Sequence, residues 1–560
     1  QDAIDVGALA GGEPKRPQRP AMLGASLRRL MRRPRFYAAA LAVAATLALL
    51  YTFQQQDAAA PPPPPPARQP PPAPEAAGDE TAIPAPPASA KCSSLPIPGE
   101  YWQKTAAPAF VDMPRTGEAE SGSSVCVRVV VPAKALNVSA SFEPIPATPW
   151  DSILLDLVGA ETGISVPVQL QMAAHAQNYH RDATHVYEAD VVLRDVDTFR
   201  PAGYIEFRAA LWNPQDFQAP QPFVPEPLAI ADDARVVVVD REARSPFSLQ
   251  RHLELPLCTE ADADGRWVLA ASLPFDAAQA LAPDHTGRVW LPYECRLRPY
   301  TYQAFAQCLV RKYPLVHWYG DSNTRRALKK VTSLGRWCGT PEEQQSLKCT
   351  CNDNSEDFKP YQSHARIAPV VMDPATGGAP PLDPNDYAGP VANRSRIVAF
   401  KWDGLTSRND PPWIEYFAAG TMAKLGRPAA TIFGATNWDT AFSTHSFFVG
   451  EAEKLADQFA ATYPATPDII VRTGQYYCCT SDMDAYWKRR YSRLRNRYFD
   501  RDLVAALRRR LPAANRVRVW DVALLAERRP YAAREDASKC AANHVRAEGI
   551  EIENQVLFNA

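Results

Sequence analysis

Residues 315–334, LVHWYGDSNTRRALKKVTSL, constrain this chain more than any other stretch, because they read as a buried strand, a sharp turn and a helix in immediate succession. Leu315, Val316, His317, Trp318 and Tyr319 form a short apolar and aromatic run of the kind found in a strand inside a sheet. Gly320 punctuates it. From Asn323 onward, Ala327, Leu328, Val331 and Leu334 recur at helical spacing, so Ser322 falls at the strand-to-helix junction. Backbone N–H groups are unpaired there and the helix dipole is positive, so a nucleophile in that position can stabilise a developing oxyanion. The same residues also suit a plain turn in which Asp321 or Ser322 caps the helix. The rest of the chain has to separate the two readings.

Residues 397–402, 430–434, 468–473 and 517–522 read as further buried strands, and the stretches around 414–425, 447–461 and 484–511 as helices. That alternation implies an α/β domain with a parallel sheet over 291–560. Upstream, residues 92–214 change to short alternating segments at 124–131, 152–158, 166–170, 186–192 and 204–211, separated by turn residues. Such spacing suits an all-β sandwich of immunoglobulin or filamin type. Within it, residues 187–211 read as paired strands around a turn at Pro201, Ala202, Gly203 and Tyr204. His175, His180 and His185 read as surface residues and not as metal ligands, since no second cluster completes a site. Residues 215–290, rich in Pro and Asp with one strong strand at 234–239, read as a connecting segment.

A chain of 560 residues, 46% hydrophobic and 22% charged, can hold two such domains plus tails, and its net charge of −1 argues against a general nucleic-acid binder. Residues 36–53, FYAAALAVAATLALLYTF, are uncharged over a length just sufficient to span a bilayer. Arg28, Arg29, Arg32, Arg33 and Arg35 precede them, so the positive-inside rule keeps residues 1–35 cytosolic and puts the remainder in the lumen or outside. The competing reading is a signal peptide cleaved near Ala58 to Ala60. The anchor is favoured, because 35 preceding residues exceed an ordinary signal n-region. Residues 54–91 carry thirteen prolines between Pro61 and Pro87 and read as an extended stem.

A tail, one span, a stem and a lumenal domain describe a single-pass type II protein of the Golgi and secretory pathway or the cell surface. Disulfides are then the default for the eleven cysteines. Cys338, Cys349 and Cys351 lack the companions of a zinc site. Asn137 and Asn393 head glycosylation sequons. Gln1 in place of an initiator Met, and a chain stopping at Ala560 within a helical pattern, read as truncated ends. The odd cysteine then has its partner outside the fragment or stays free.

The order Gly265-Arg266-Trp267, Trp290, Pro292, Cys295, Cys308-Leu309 and Gly320-Asp321-Ser322 with Arg325 resembles the PC-esterase branch of the GDSL/SGNH hydrolases. That branch includes the trichome-birefringence-like proteins and the neurexophilin-and-PC-esterase family, and the sandwich-then-esterase order resembles the second group. The resemblance covers roughly residues 260–560. It implies a flavodoxin-like sheet with a Ser-His-Asp site at the carboxyl ends of its strands, no metal and no bound cofactor. The expected activity is that of a serine esterase or O-acyltransferase, with acetyl as the acyl group, whose partners are a glycan or polysaccharide acceptor and an acyl donor.

On that resemblance Ser322 is the nucleophile, and a serine needs an adjacent imidazole to lose its proton near neutral pH. His544, just before the last helix, stands where the family histidine belongs; His317, His364 and His445 are competitors without that setting. Ser322, Gly404 and Asn437 are the expected oxyanion residues, with Gly474 and Gln475 as alternatives, and Arg325 is a candidate to hold an anionic substrate or simply a surface arginine. Where the family has Asp, three residues before His544, this chain has Ala541. Asp536 or Asp521 then supplies the third group, or a backbone carbonyl orients the ring in a Ser-His dyad, or the chain is a catalytically inactive binding module for carbohydrate or protein.

Overall fold

Alternate residues of the run beginning at Leu315 enter two different cores, as a strand's two-residue period requires. Val316 and Trp318 belong to one, Leu315 and Tyr319 to the other. This is a computed structural model. It describes residues 90–560 except 104–107, 114–116, 133–150, 174–183, 208–225, 242–247, 262–263, 285, 338–366, 384–385, 390, 403, 406–412, 476–492 and 527–546. The basic tail, the apolar run 36–53 and the stem up to residue 89 lie outside the described residues. Among those described, no helix is long and apolar enough to cross a membrane.

The N-terminal half is all-β, with two sheets. The smaller runs β1 (Phe110–Asp112), β3 (Ser123–Val131), β7 (His185–Leu193), β6 (Gln171–Met172), all antiparallel. The larger runs β12 (Arg288–Pro292), β11 (Gly265–Leu269), β5 (Ser165–Pro167), β4 (Ser152–Gly159), β8 (Thr198–Phe207), β10 (Val236–Val239), β2 (Gly117–Glu120), with β9 (Glu226–Pro227) beside β8. Val125, Val127 and Val129 of β3 share one core with Ile153, Leu155 and Leu157 of β4. Val130 packs instead with Tyr101, Ala173 and Val186. Burial on both faces explains why β3 is an almost unbroken apolar run. Disulfide Cys92–Cys126 cross-links this half, and Cys258–Cys295 closes the segment holding β11 and β12 against the core of the C-terminal sheet, as a chain folded in an oxidising compartment would allow.

Three expectations change. Residues 215–290 are not a mere connection, because β9, β10, β11 and part of β12 complete the larger sheet; β10 is the strong strand read at 234–239, and short apolar stretches among Pro and Asp hid the others. Strand β8 runs straight through Pro201 and Gly203, paired with β4. The bend comes earlier, at Asp197, whose carboxylate accepts the N–H groups of Glu161, Thr162 and Thr198 at 3.1, 2.9 and 2.6 Å. His185 is buried, with Nδ1 2.6 Å from Asp151, and so is no surface residue; His175 and His180 lie outside the described residues.

The C-terminal half is α/β. Its seven described strands run β15 (Gly377–Ala379), β14 (Ile367–Asp373), β16 (Ser395–Lys401), β13 (Leu315–Gly320), β17 (Ala430–Phe433), β18 (Asp468–Arg472), β19 (Arg516–Trp520). The last five are parallel, and β14 and β15 extend the edge antiparallel. Taken in chain order, the parallel strands read 2-1-3-4-5, the order of a doubly wound sheet. One face is covered by α1 (Tyr302–Lys312), α2 (Ser322–Thr332) and α8 (Ala547–Asn559). The other carries α3 (Ala419–Leu425), α5 (His445–Thr462) and α6 (Arg493–Arg510), with α4 (Thr436–Phe442) at the end of β17.

Candidate functional site

In a sheet of this order, ligands collect outside the carboxyl ends of the strands, where the winding reverses. The reversal here lies between β13 and β17, and the register fixes what stands above it. Tyr319 pairs with Phe433, Gly320 with Lys401. Trp402 N and Gly434 N then donate to the carbonyls of Gly320 and Tyr319, both at 3.1 Å. Ser322, Gly404 and Asn437 therefore all follow the last rungs of adjacent strands.

The Gly-Asp-Ser triplet is built for that junction. A Cβ on Gly320 would fall 2.1 Å from Thr324 Cβ, so glycine lets the first turn of α2 close onto its strand. Asp321 is the N-cap: Oδ1 accepts from Asn323 N at 3.0 Å and Thr324 N at 3.1 Å. Ser322 opens the helix. All ten residues after it in α2 are buried, Arg325 included, and Ser322 alone is partly exposed. Arg325 is therefore not a surface arginine.

The capping and nucleophile readings are compatible, because Asp321 does the capping and leaves Ser322 at the dipole's positive end. The second oxygen of Asp321 accepts from Asn437 Nδ2 at 2.6 Å, and Asn437 Oδ1 accepts from Gln475 N at 2.5 Å. Asn437 is thus no simple turn residue. It joins the ends of β13, β17 and β18, and the bond to Asp321 uses one of the two hydrogens on Nδ2. Gly404 has φ +114°, and a Cβ there would lie 2.9 Å from both carboxylate oxygens of Asp439. Asp439 also accepts from Leu405 N at 2.7 Å, which fixes the loop after β16.

Beyond Asn437 the network continues into groups that sequence reading passed over. Asp500 of α6 accepts from Thr436 Oγ1 at 2.5 Å and Gly474 N at 2.9 Å. Burial raises its carboxyl to about 7, against the lowering effect of those same two donors. Arg472 and Glu553 form a buried ion pair at 2.9 Å, and Gln475 Nε2 donates to the same carboxylate at 2.9 Å. An arginine inside the strand DIIVR was the available signal, since a buried cation demands a partner.

Of the other candidates, Asp521 follows β19, where Oδ1 accepts from Thr473 Oγ1 at 3.1 Å and caps α7 (Val522–Ala526) through Leu524 N at 3.0 Å. His317 is spent inside the core on Tyr463 Oη at 3.0 Å and the Leu425 carbonyl at 3.3 Å, and burial lowers it to about 4. His445 pairs with Asp502 at 2.7 Å. Asn393 is exposed in a left-handed turn with φ 55°, as a glycan acceptor would be, while Ser395 of its sequon donates to the Tyr313 carbonyl. His544, Asp536, Ala541, His364 and Asn137 lie outside the described residues, as do Cys338, Cys349 and Cys351. Among the described residues, no three His, Cys, Asp or Glu side chains cluster as a metal site requires.

No protein-family model matches the chain, and no curated protein matches it.

Proposed function

We propose that the chain is a membrane-anchored, lumenal serine esterase or O-acyltransferase of the PC-esterase type, moving acetyl groups on glycan hydroxyls. One observation carries the reading: Ser322 is the partly exposed first residue of an otherwise buried helix, at the switch point of a 2-1-3-4-5 sheet, with Asp321 tied to Asn437. Ser322 Oγ attacks the acyl carbon as His544 takes its proton, and a tetrahedral oxyanion forms beside the N-terminus of α2. The oxyanion collapses, the leaving group departs with the proton from His544, and an acyl-serine remains. Water or a sugar hydroxyl then attacks it, giving hydrolysis or transfer according to water exclusion and acceptor positioning. The doubly wound order and the all-β N-terminal half suit the flavodoxin-like and immunoglobulin-like parts of that family. The two disulfides, the exposed Asn393 and the arginines before residues 36–53 suit a lumenal type II protein.

Ala541 favours a second reading, a binding module with a degenerate esterase domain. A fluorophosphonate probe separates them. Catalysis predicts covalent labelling of the intact, disulfide-bonded protein at Ser322, abolished in Ser322→Ala. Absence of labelling in folded wild type leaves the binding module.

A further inference from the structure

Where α6 faces the all-β half, the two enclose a cleft of about 650 Å3. Gln169, Leu170 and Gln171 form one wall, and α6 with the ends of β18 and β19 forms the other. The α6 wall is one helical stripe: Arg497, Arg501, Val504, Ala505 and Arg508 follow the i, i+4, i+7, i+8, i+11 pattern. At 1.5 Å per residue, the three arginines span about 16 Å. That is longer than a single anionic group needs, and it suits a chain carrying several.

The lining is mixed in a particular way. Val504, Ala505, Val519 and Ala523 give an apolar floor, and Gln169 and Gln171 supply amides. Arg501 lies over the Tyr498 ring at 4.4 Å, and Arg497 donates to Gln169 Oε1 at 2.5 Å. Arg501 and Arg508 are exposed. Arg509 pairs with Glu453 outside the stripe. The cleft's acidic residues, Asp500 and Asp521, sit at its sheet end. With Asp500 raised to about 7 by burial, these two and Asp502, which pairs with Arg501 at 2.9 Å, only partly offset three guanidinium groups.

The geometry points to a binding site for an acidic oligosaccharide, whose carboxylate or sulfate groups sit on Arg497, Arg501 and Arg508 while its sugar faces lie on the apolar floor. Planar guanidinium groups match such anions bidentately. Amides match ring hydroxyls. At its sheet end the cleft reaches Asp500, which holds Gly474 N, next to the Gln475–Asn437–Asp321 chain of hydrogen bonds. Such a glycan is the acceptor class for the acyl chemistry proposed above and rests on that reading for its role, whereas its binding uses no atom of Ser322.

Calorimetric titration of the full chain with hexagalacturonate, a heparin-derived hexasaccharide, xylohexaose and a single-stranded DNA hexamer tests the site. At least one acidic sugar is expected to bind at least about tenfold more tightly than xylohexaose, with affinity falling as salt rises. The uronate and sulfate arms tell which anion is read. Arg501→Gln with Arg508→Gln, at exposed positions, should weaken acidic binding by at least about tenfold, and Arg497→Lys, which keeps the charge but loses the fork, should weaken it less. Equal binding of xylohexaose, unchanged affinity in the double variant, or preference for the DNA overturns the assignment. Binding without fluorophosphonate labelling of Ser322 keeps this site and removes the acyl-transfer reading. Labelling without binding does the reverse.

Discussion

The Asn437 side-chain amide donates to the Asp321 carboxylate at 2.6 Å, and its carbonyl oxygen accepts the backbone N–H of Gln475. One buried residue thereby ties the residue before Ser322 to the loop after β18. Asn437→Ala leaves a carboxylate oxygen and an N–H without their partner, each at a cost of about 1–3 kcal/mol. Urea unfolding should show a loss of about 2–5 kcal/mol, and Ser322 labelling should slow. Asn437→Asp sets two carboxylates against each other, so its deficit should shrink on acidification.

Gly404 combines a positive φ with a close approach to Asp439. An alanine there is strained in its backbone and has its methyl against a carboxylate, so Gly404→Ala should cost about 1–3 kcal/mol. Thermal unfolding measures this. A wild-type melting temperature in that variant would mean that the loop relaxes freely and does not need glycine.

How much of this was legible follows from what each element had to bury. Strands β13, β16, β17 and β18 were readable because a parallel sheet covered on both faces makes each largely apolar; the edge strand β19 was readable from the alternation of Val517, Val519 and the buried Trp520. Ser322 was readable because a glycine and a capping Asp lead into it. Strands β9, β11 and β12 were missed as sandwich members, since short strands among Pro and Asp carry little periodicity. Asn437 was placed after its strand by sequence, but its bonds to Asp321 and Gln475 join residues more than 30 positions apart. Asp500 and Glu553 carry no local sequence signal that sets them apart, and only tertiary packing turns them inward.

Arg472 and Glu553 are each almost completely buried and tie β18 to α8, the helix that follows His544. Removing one partner strands the other charge, so Arg472→Met or Glu553→Leu alone should each cost about 3–5 kcal/mol. The double variant should cost clearly less than the sum, because no lone charge remains. Additive losses in a denaturation cycle would mean that each residue acts through packing instead of through the pair.

Disulfides Cys92–Cys126 and Cys258–Cys295 close loops with sequence separations of 34 and 37. Chain-entropy arithmetic makes each worth about 3–4 kcal/mol. Cys258→Ser with Cys295→Ser should lower the urea midpoint accordingly and abolish the mobility shift that reduction of this bond produces on a non-reducing gel.

Asp500 makes the pH dependence of stability informative. Its carboxyl lies at about 7 in the folded chain against an ordinary 3.8, so the folded state holds a proton that the unfolded state has released. The associated stability is fully present below about pH 4 and is lost as pH rises through about 7. A shift of this size corresponds to about 4 kcal/mol. His317 and His252, both lowered to about 4 by burial, act oppositely: their contribution is present above the usual imidazole value and lost as pH falls toward 4. Wild type alone therefore mixes the two trends, and the comparison has to be a difference. Asp500→Asn keeps an acceptor for Gly474 N but cannot titrate. Relative to wild type, this variant should gain stability steadily between pH 4 and 7, by about 4 kcal/mol. A difference that stays constant across that range would mean that Asp500 is ionised in the folded chain, with its charge carried by Thr436 and the Gly474 amide.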